Sequence, residues 1–387
     1  MPPLTIAVTD LPPSQARQEC FFEGAVTAIS RSGLHATEKA LLTQLPAIVP
    51  PPTSAVVTGN RTGVLPLALG HLYPEATITA HAYDSHHLAA IKRTISAHKG
   101  IHNITTVGSA SLYSHDTDFN LALAQISHNS IPFELLQVML QDIHQALATN
   151  GELIISFEGD AEWLRTQLKK NFGKPSLNVV KEIAIARVRK TNQQLKLKNF
   201  AATFNVSLPN GISFPLTTQP GVFAHRRPDQ GGLSLAEIAA REVKPGDNIL
   251  DIGSGSGLVG IALALTLPNV SVTFIDSHWC AYECAKLNAN ANSLTQTLFF
   301  CDHTDAPITP ATFTMAVGNP PYFGNYTIAE HFVNTAHKGL KKGGRCFMVT
   351  KNSDWYLDYM GRLFGNATPL KRRDYTIVTA VKNNKYV

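Results

Sequence analysis

Two short segments carry residues whose types and spacing could do chemistry. The first is Asp251-Ile252-Gly253-Ser254-Gly255-Ser256-Gly257. Glycines at alternate positions let a backbone turn sharply and approach a ligand with no Cβ in the way. A helical pattern opens at Gly257, and its first turn would present free N–H groups. Asp276 follows 25 residues after Asp251, at the end of the next apolar run, with Ser277 beside it. A carboxylate there can accept hydrogen bonds from both hydroxyls of a ribose. The second segment is Asn319-Pro320-Pro321-Tyr322, 68 residues after Asp251. Asn319 offers a side-chain oxygen and Pro320 a backbone carbonyl, two acceptors on a loop that the prolines stiffen. Such a pair could fix the two N–H groups of an amine, with the Tyr322 ring stacked on a planar target. The plain alternatives are a structural glycine turn and an ordinary proline-rich turn.

The glycine turn implies a nucleoside-containing cofactor. Gly255-Ser256-Gly257-Leu258-Val259-Gly260 also fits the dinucleotide pattern G-x-G-x-x-G, but displaced two residues into the helix. The carboxylate of Asp251 discriminates better. At the end of the strand it would repel a pyrophosphate and attract the amino group of a methionine moiety. This favours S-adenosylmethionine over a nicotinamide dinucleotide.

These residues need a scaffold. The chain has 387 residues, 44% of them hydrophobic and 16% charged, enough to fill a sizeable core and too apolar for disorder throughout. No run of about 18 apolar residues suggests a membrane span. Met1 to Asp10 lacks a basic stretch followed by an apolar one, so no secretory signal is expected and the cytoplasm is the expected location. The five cysteines show no framework spacing, and Cys280 and Cys284 sit at helical rather than C-x-x-C spacing, so neither disulfides nor a metal are expected. The net charge of +5 permits an acidic partner.

The sequence also repeats. Val57 to Leu65 lies over Asp251 to Val259, Tyr83-Asp84-Ser85-His86 over Ile275-Asp276-Ser277-His278, and Leu147 and Gly151 over Leu340 and Gly344. Trp163 and Phe172-Gly173 lie over Trp355 and Phe364-Gly365, the offset staying between 192 and 194. Each half alternates short Val/Ile/Phe-rich runs with helical segments. In the second half the strand candidates are 248–251, 272–276, 298–301, 315–317, 345–350 and 375–381, with helices over 257–266 and 279–292. That order predicts α/β architecture: two tandem Rossmann-like domains, each a doubly wound, mostly parallel sheet. The domains are expected at 1–195 and 196–387, with a hairpin around Pro209-Asn210-Gly211 near the join.

Taken together, the D-I-G-S-G-S-G turn, Asp276 and Asn319-Pro320-Pro321-Tyr322 resemble the class I S-adenosylmethionine-dependent methyltransferases. The duplication narrows the resemblance to the bacterial ribosomal RNA guanine-N2 methyltransferases RsmC and RlmG, in which a degenerate domain precedes a catalytic one. Gly221-Val222-Phe223 followed by Asp229 and Gly231 resembles the segment that family carries before its cofactor motif. The resemblance covers essentially the whole chain. It implies an enzyme that acts on ribosomal RNA or a ribosomal subunit, the small one favoured, as a monomer without metal. Asn319, Pro320, Pro321 and Tyr322 would be catalytic. Asp251, Gly253, Gly255, Gly257, Asp276, Ser277, Asp302 and Asp229 would contact the cofactor, Asp302 at the adenine amino group in competition with Asp305. His278 or Trp279 could pack on the adenine, or simply on the helix face. That family commonly has Phe where this chain has Tyr322. N-P-P-Y is more typical of adenine-N6 and glutamine-N5 methyltransferases, so those targets stay open, as does a non-catalytic RNA-binding assembly protein.

In the first copy Val57 and Arg61 replace Asp251 and Gly255, and Asp118 to Gln125 holds the place of the tetrad without it. The expectation is a domain that binds no cofactor and either recognises RNA or completes the fold. Ten basic residues against one acid between Arg165 and Lys198 suggest phosphate contact, as does a second cluster of Lys338, Lys341, Lys342, Arg345 and Lys371-Arg372-Arg373.

Overall fold

The computed structural model describes residues 3–8, 17–31, 33–112, 118–127, 131–321 and 326–383. The chain divides into two units, Met1–Phe200 and Ala201–Val387, the division falling five residues later than expected from sequence.

The first unit opens with β1 (Leu4–Ala7), β2 (Arg17–Phe21) and β3 (Val26–Ser30), a small sheet in the order β1-β3-β2, followed by α1 (Ala36–Leu42). Its main sheet alternates with helices along the chain: β4 (Ser54–Thr58), α2 (Val64–Leu72), β5 (Thr77–Ala82), α3 (Ser85–Ser96), β6 (Ile104–Gly108), β7 (Phe119–Ser127), α4 (Phe133–Ala146), β8 (Leu147–Glu158) and α5 (Ala161–Asn171). The hairpin of β9 (Ser176–Val180) and β10 (Ile183–Arg189) closes one edge.

The second unit begins with the hairpin β11 (Ala202–Ser207) and β12 (Ser213–Thr218), whose turn holds Pro209-Asn210-Gly211. Then follow α6 (Gln230–Ala239), β13 (Asn248–Ile252), α7 (Leu258–Ala264), β14 (Ser271–Asp276), α8 (Trp279–Ala291), β15 (Thr297–Cys301), β16 (Phe313–Gly318), α9 (Thr327–Gly339), β17 (Leu340–Thr350), α10 (Asp354–Phe364), β18 (Thr368–Arg372) and β19 (Tyr375–Val381).

The two seven-stranded sheets have the same order, β6-β5-β4-β7-β8-β10-β9 and β15-β14-β13-β16-β17-β19-β18. In each, five strands are parallel and the hairpin at one edge runs antiparallel. The strands buried on both faces are the apolar runs of the sequence: Ile249, Leu250, Val272, Phe274, Met315 and Val317 are almost fully buried. Strand order reverses between β13 and β16, which pair in parallel. In such sheets the ligand crevice lies beyond the carboxyl ends of the strands at that reversal. The glycine turn leaves β13 and the Asn319 loop leaves β16, so the topology delivers both segments to one crevice.

Candidate cofactor and target-amine site

The turn after β13 takes the conformation its glycines permit. Gly253, Gly255 and Gly257 have φ of +67°, +54° and +81°, the left-handed region costly for other residues. They differ in surroundings. A Cβ on Gly253 would meet the Phe332 ring at 2.4 Å, whereas one on Gly255 would meet nothing within 4 Å. The turn is therefore packed from beneath at Gly253 and open at Gly255, where a ligand can approach the backbone.

Asp276, at the end of β14, accepts the Gly255 N–H through Oδ2 and the His278 N–H through Oδ1, both at 2.9 Å. Asp302 lies next to it, its N–H bound to the Asp276 carbonyl at 2.8 Å. The Asp302 side chain accepts from the Thr304 N–H and hydroxyl through Oδ1. Asp305 instead pairs with Lys338 at 3.1 Å, which separates the two acids that sequence left in competition. Ser277 sits half-buried between these groups, and its carbonyl accepts from the Cys301 thiol at 3.4 Å. His278 caps α8, its ring nitrogen taking the Cys280 N–H, while Trp279 packs edge-on to Tyr282.

Asp251 is only 3% exposed, and its Oδ2 accepts the Gly260 N–H at 2.9 Å. Burial pushes its carboxyl up to about 7, Asp276 adds to the rise, and the Gly260 hydrogen bond opposes it. A neighbouring ammonium group would hold it ionised.

Asn319 stands at the end of β16, with Pro320 buried and Pro321 half-buried behind it. Its Nδ2 donates to Asp229 Oδ2 at 2.6 Å. Its Oδ1 is shielded from solvent and has no hydrogen-bond partner among the described residues. An unsatisfied buried acceptor costs about 1–3 kcal/mol, which calls for a reason to keep it. Tyr322 lies outside the described residues. Asp229 also caps α6, taking the Gly231 and Gly232 N–H groups at 3.1 and 2.7 Å. Gly231 packs directly on the pair: a Cβ there would lie 3.3 Å from Asn319 Nδ2 and 3.2 Å from the Tyr375 ring.

One residue of the site escaped sequence reasoning. Asn288 of α8 is fully buried and donates to the Ser256 carbonyl at 2.9 Å, and it binds both the N–H and the carbonyl of Thr217. It ties the glycine turn to the β11–β12 hairpin. No local pattern marks it, because its partners lie 32 and 71 residues away.

The two basic clusters differ in how far acids pair with them. Arg372 and Arg373 both grip Glu237, Arg345 pairs with Asp247 at 2.7 Å, and Lys338 pairs with Asp305. Lys338, Arg345, Arg372 and Arg373 of the second cluster are therefore paired with acids of the second unit, while Lys341, Lys342 and Lys371 are exposed. In the first cluster Arg187 pairs with Glu152 and Arg165 with Glu162, whereas Lys169, Lys170, Lys174, Lys196 and Lys198 are exposed and form no ion pair among the described residues.

The first unit's turn is filled by its own side chains. Glu38, 1% exposed, reaches from α1 to accept from Asn60 Nδ2 at 2.8 Å and Thr62 Oγ1 at 2.6 Å. A Cβ on Gly59 would lie 2.1 Å from the Gln125 carbonyl, so β7 lies hard against the turn. At the offset of 194, the position of Glu38 is Gly232 in the second unit.

Comparison with known proteins agrees with this geometry. Residues 213–379 match the sequence model of the family described as methyltransferase small domain. The ribosomal RNA large subunit methyltransferase G of Pseudoalteromonas translucida is 23% identical over 85% of this chain and 86% of its own length. The ribosomal RNA small subunit methyltransferase C of Pseudomonas putida is 28% identical, over 56% of this chain and 64% of its own. In fold, the T. thermophilus RsmC, a 16S rRNA N2 methyltransferase solved with S-adenosylmethionine and guanosine, superposes with a TM-score of 0.74 over 95% of this chain and 98% of its own, at 18% identity. The second unit thus matches the methyltransferase small domain over most of its length and has the fold of that neighbour. With the duplication, the chain as a whole is similar in sequence and fold to the RsmC/RlmG ribosomal RNA methyltransferases.

Proposed function

We propose that this protein transfers a methyl group to the exocyclic N2 amine of a guanine in ribosomal RNA, in the cytoplasm, with the small subunit as the favoured source. The observation that carries the reading is the unsatisfied, shielded Oδ1 of Asn319 at the reversal point of the sheet, beside a glycine turn open at Gly255. An acceptor kept without a partner suits a target that brings an N–H donor. The relatives' names support ribosomal RNA as that target, and they include both a large-subunit and a small-subunit enzyme.

In this reading Asp276 and Ser277 receive the ribose, Asp302 the adenine amino group, and Asp251 an ammonium group through the carboxyl oxygen that Gly260 leaves. Bound S-adenosylmethionine supplies a methyl group already activated by its sulfonium. The chain's own task is placement, which can supply much of the rate. The lone pair of a base's exocyclic amine is delocalised into the ring. Asn319 Oδ1 and the Pro320 carbonyl accept its two N–H groups and favour a more tetrahedral nitrogen with its lone pair directed at the methyl. Asn319 takes no proton, so the proton leaves to water or a nearby group after transfer. Tyr322 stacks on the base, which must leave its helical stack to reach it. The first unit, its turn closed by Glu38, binds no cofactor and lends Lys169, Lys170, Lys174, Lys196 and Lys198 to RNA phosphates.

The test is to incubate the protein with labelled S-adenosylmethionine and, separately, small-subunit RNA, large-subunit RNA, each assembled subunit and a release-factor protein. Label in one RNA pool, absent with Asn319→Ala, supports the reading and names the subunit. Label in the protein substrate overturns it, and cofactor binding without label in any pool points to an assembly protein.

A further inference from the structure

Sequence reading placed Asp229 among the cofactor contacts, but its carboxylate is otherwise engaged. Oδ1 takes the Gly231 N–H, and Oδ2 takes both the Gly232 N–H and Asn319 Nδ2. A carboxylate has no hydrogen to give, so the end of the Asn319 amide facing it must be the NH2 end. The other end, Oδ1, is then fixed on the side that has no partner among the described residues. Reversing the amide would press two acceptors together and turn a donor inward.

We infer that Asp229 is a positioning residue: it locks the Asn319 carboxamide with its oxygen toward the target, so that the site selects a nucleophile carrying N–H over one presenting only a lone pair. This rests on the reading of Asn319 as the acceptor for the target amine. Three features of the surroundings support the lock. The 2.6 Å contact is short, as charge-assisted hydrogen bonds are. The cap hydrogen bonds from the Gly231 and Gly232 N–H groups hold the carboxylate in place at the start of α6. Gly231 leaves room for the amide, since a Cβ there would come within 3.3 Å of Asn319 Nδ2 and 3.2 Å of the Tyr375 ring.

The degenerate copy gives an internal comparison. The strand registers Ile252↔Gly318 and Thr58↔Ala124 coincide at the offset of 194, which sets Gln125 at the position of Asn319 and His35 at that of Asp229. His35 still caps its helix, α1, but Gln125 Oε1 is bound by Asn60 rather than by the cap residue. Capping therefore survives without a carboxylate, and among the described residues the link from the cap residue to the amide at this position is present in the second copy and not in the first. Helix capping alone does not explain Asp229.

The test uses Asp229→Asn and Asp229→Ser in the full-length protein. Asn and Ser cap helices about as well as Asp, so the melting temperature should hold. Asn offers one acceptor oxygen where Asp offers two, and its own NH2 can pair with Asn319 reversed. Ser is too short to reach Asn319. With the ribosomal RNA pool that takes label from the wild-type protein, both variants should lower kcat roughly 10- to 100-fold. S-adenosylmethionine affinity by calorimetry should stay within about twofold, and Asp229→Asn combined with Asn319→Ala should be no slower than Asn319→Ala alone. Wild-type kcat in both variants would overturn the inference and leave Asp229 a cap. Weakened cofactor binding with unchanged kcat at saturation would overturn it in favour of a cofactor contact. Should Asn319→Ala itself keep full kcat, the acceptor reading fails first and this inference with it.

Discussion

Gly255 donates its backbone N–H to Asp276 Oδ2 at 2.9 Å, so the carboxylate at the end of β14 also fastens the glycine turn that leaves β13. The same carboxylate holds the start of α8 through the His278 N–H. Turn, strand end and helix start are thus set by one side chain before any ligand arrives, the preorganisation that makes binding inexpensive in ordering entropy. Asp276→Ala should weaken S-adenosylmethionine binding at least about tenfold, more than removal of a ribose hydrogen bond alone, because the turn loosens with it. Calorimetry checks this; binding within about twofold of wild type would refute it.

Gly253 and Gly255 should fail in different ways. Alanine at either must adopt a left-handed conformation, at about 1–2 kcal/mol. At Gly253 the new methyl also meets the Phe332 ring, for roughly 1–3 kcal/mol more. At Gly255 it meets only open space. Denaturant unfolding should show Gly253→Ala as the less stable protein. Calorimetry should show Gly255→Ala as a folded protein that binds the cofactor poorly.

Asp251 should trade stability for function. Its carboxyl titrates near 7 in the folded protein against the ordinary 3.8 when unfolded. Between those values the native state holds a proton that the unfolded state has lost, so this group's contribution to stability falls as pH rises from about 4 to 7 and is flat above. Asp251→Asn should flatten that part of the melting-temperature profile and leave the protein at least as stable at about pH 8. It should also lose S-adenosylmethionine affinity, most clearly above pH 7 where the wild-type carboxylate is charged. A variant with unchanged cofactor affinity in that alkaline range would remove Asp251 from the site.

Charge reversal should separate the two basic clusters. Lys169, Lys170, Lys174, Lys196 and Lys198 are exposed, and the Lys198 ammonium near Lys170 lowers the ease with which Lys170 keeps its proton, a crowding that a phosphate would relieve. Changing Lys170 and Lys198 to Glu should weaken RNA binding and lower the salt slope by about one for each phosphate no longer neutralised. Arg372→Ala and Arg373→Ala should instead lower the melting temperature, because they strand Glu237, whose side chain is 2% exposed.

The fold was largely legible because parallel strands buried on both faces leave apolar runs, as in Met315 to Val317 and Phe347 to Val349. Pro209-Asn210-Gly211 marked the first hairpin of the second unit for the same local reason. The strand β18 was missed: Thr368–Arg372 is almost wholly exposed, carries Pro369 on a sheet edge, and has no apolar face to betray it. At the site, the turn and tetrad were readable as motifs, since their chemistry lies in consecutive residues. The link from Asp229 to Asn319 spans 90 residues and that from Asn288 to Thr217 spans 71, so only the folded chain reveals them. The pairing within the clusters was not legible, because a basic run in sequence does not show which arginines meet Glu237 and Asp247.

The most direct test of the central claim is the identity of the methylated nucleoside. RNA labelled by the wild-type protein with S-adenosylmethionine would be digested to nucleosides and separated, with Asn319→Ala as control. The account predicts label in N2-methylguanosine alone and a loss of at least about 100-fold in the variant. Label in N6-methyladenosine, or transfer undiminished in Asn319→Ala, would contradict it.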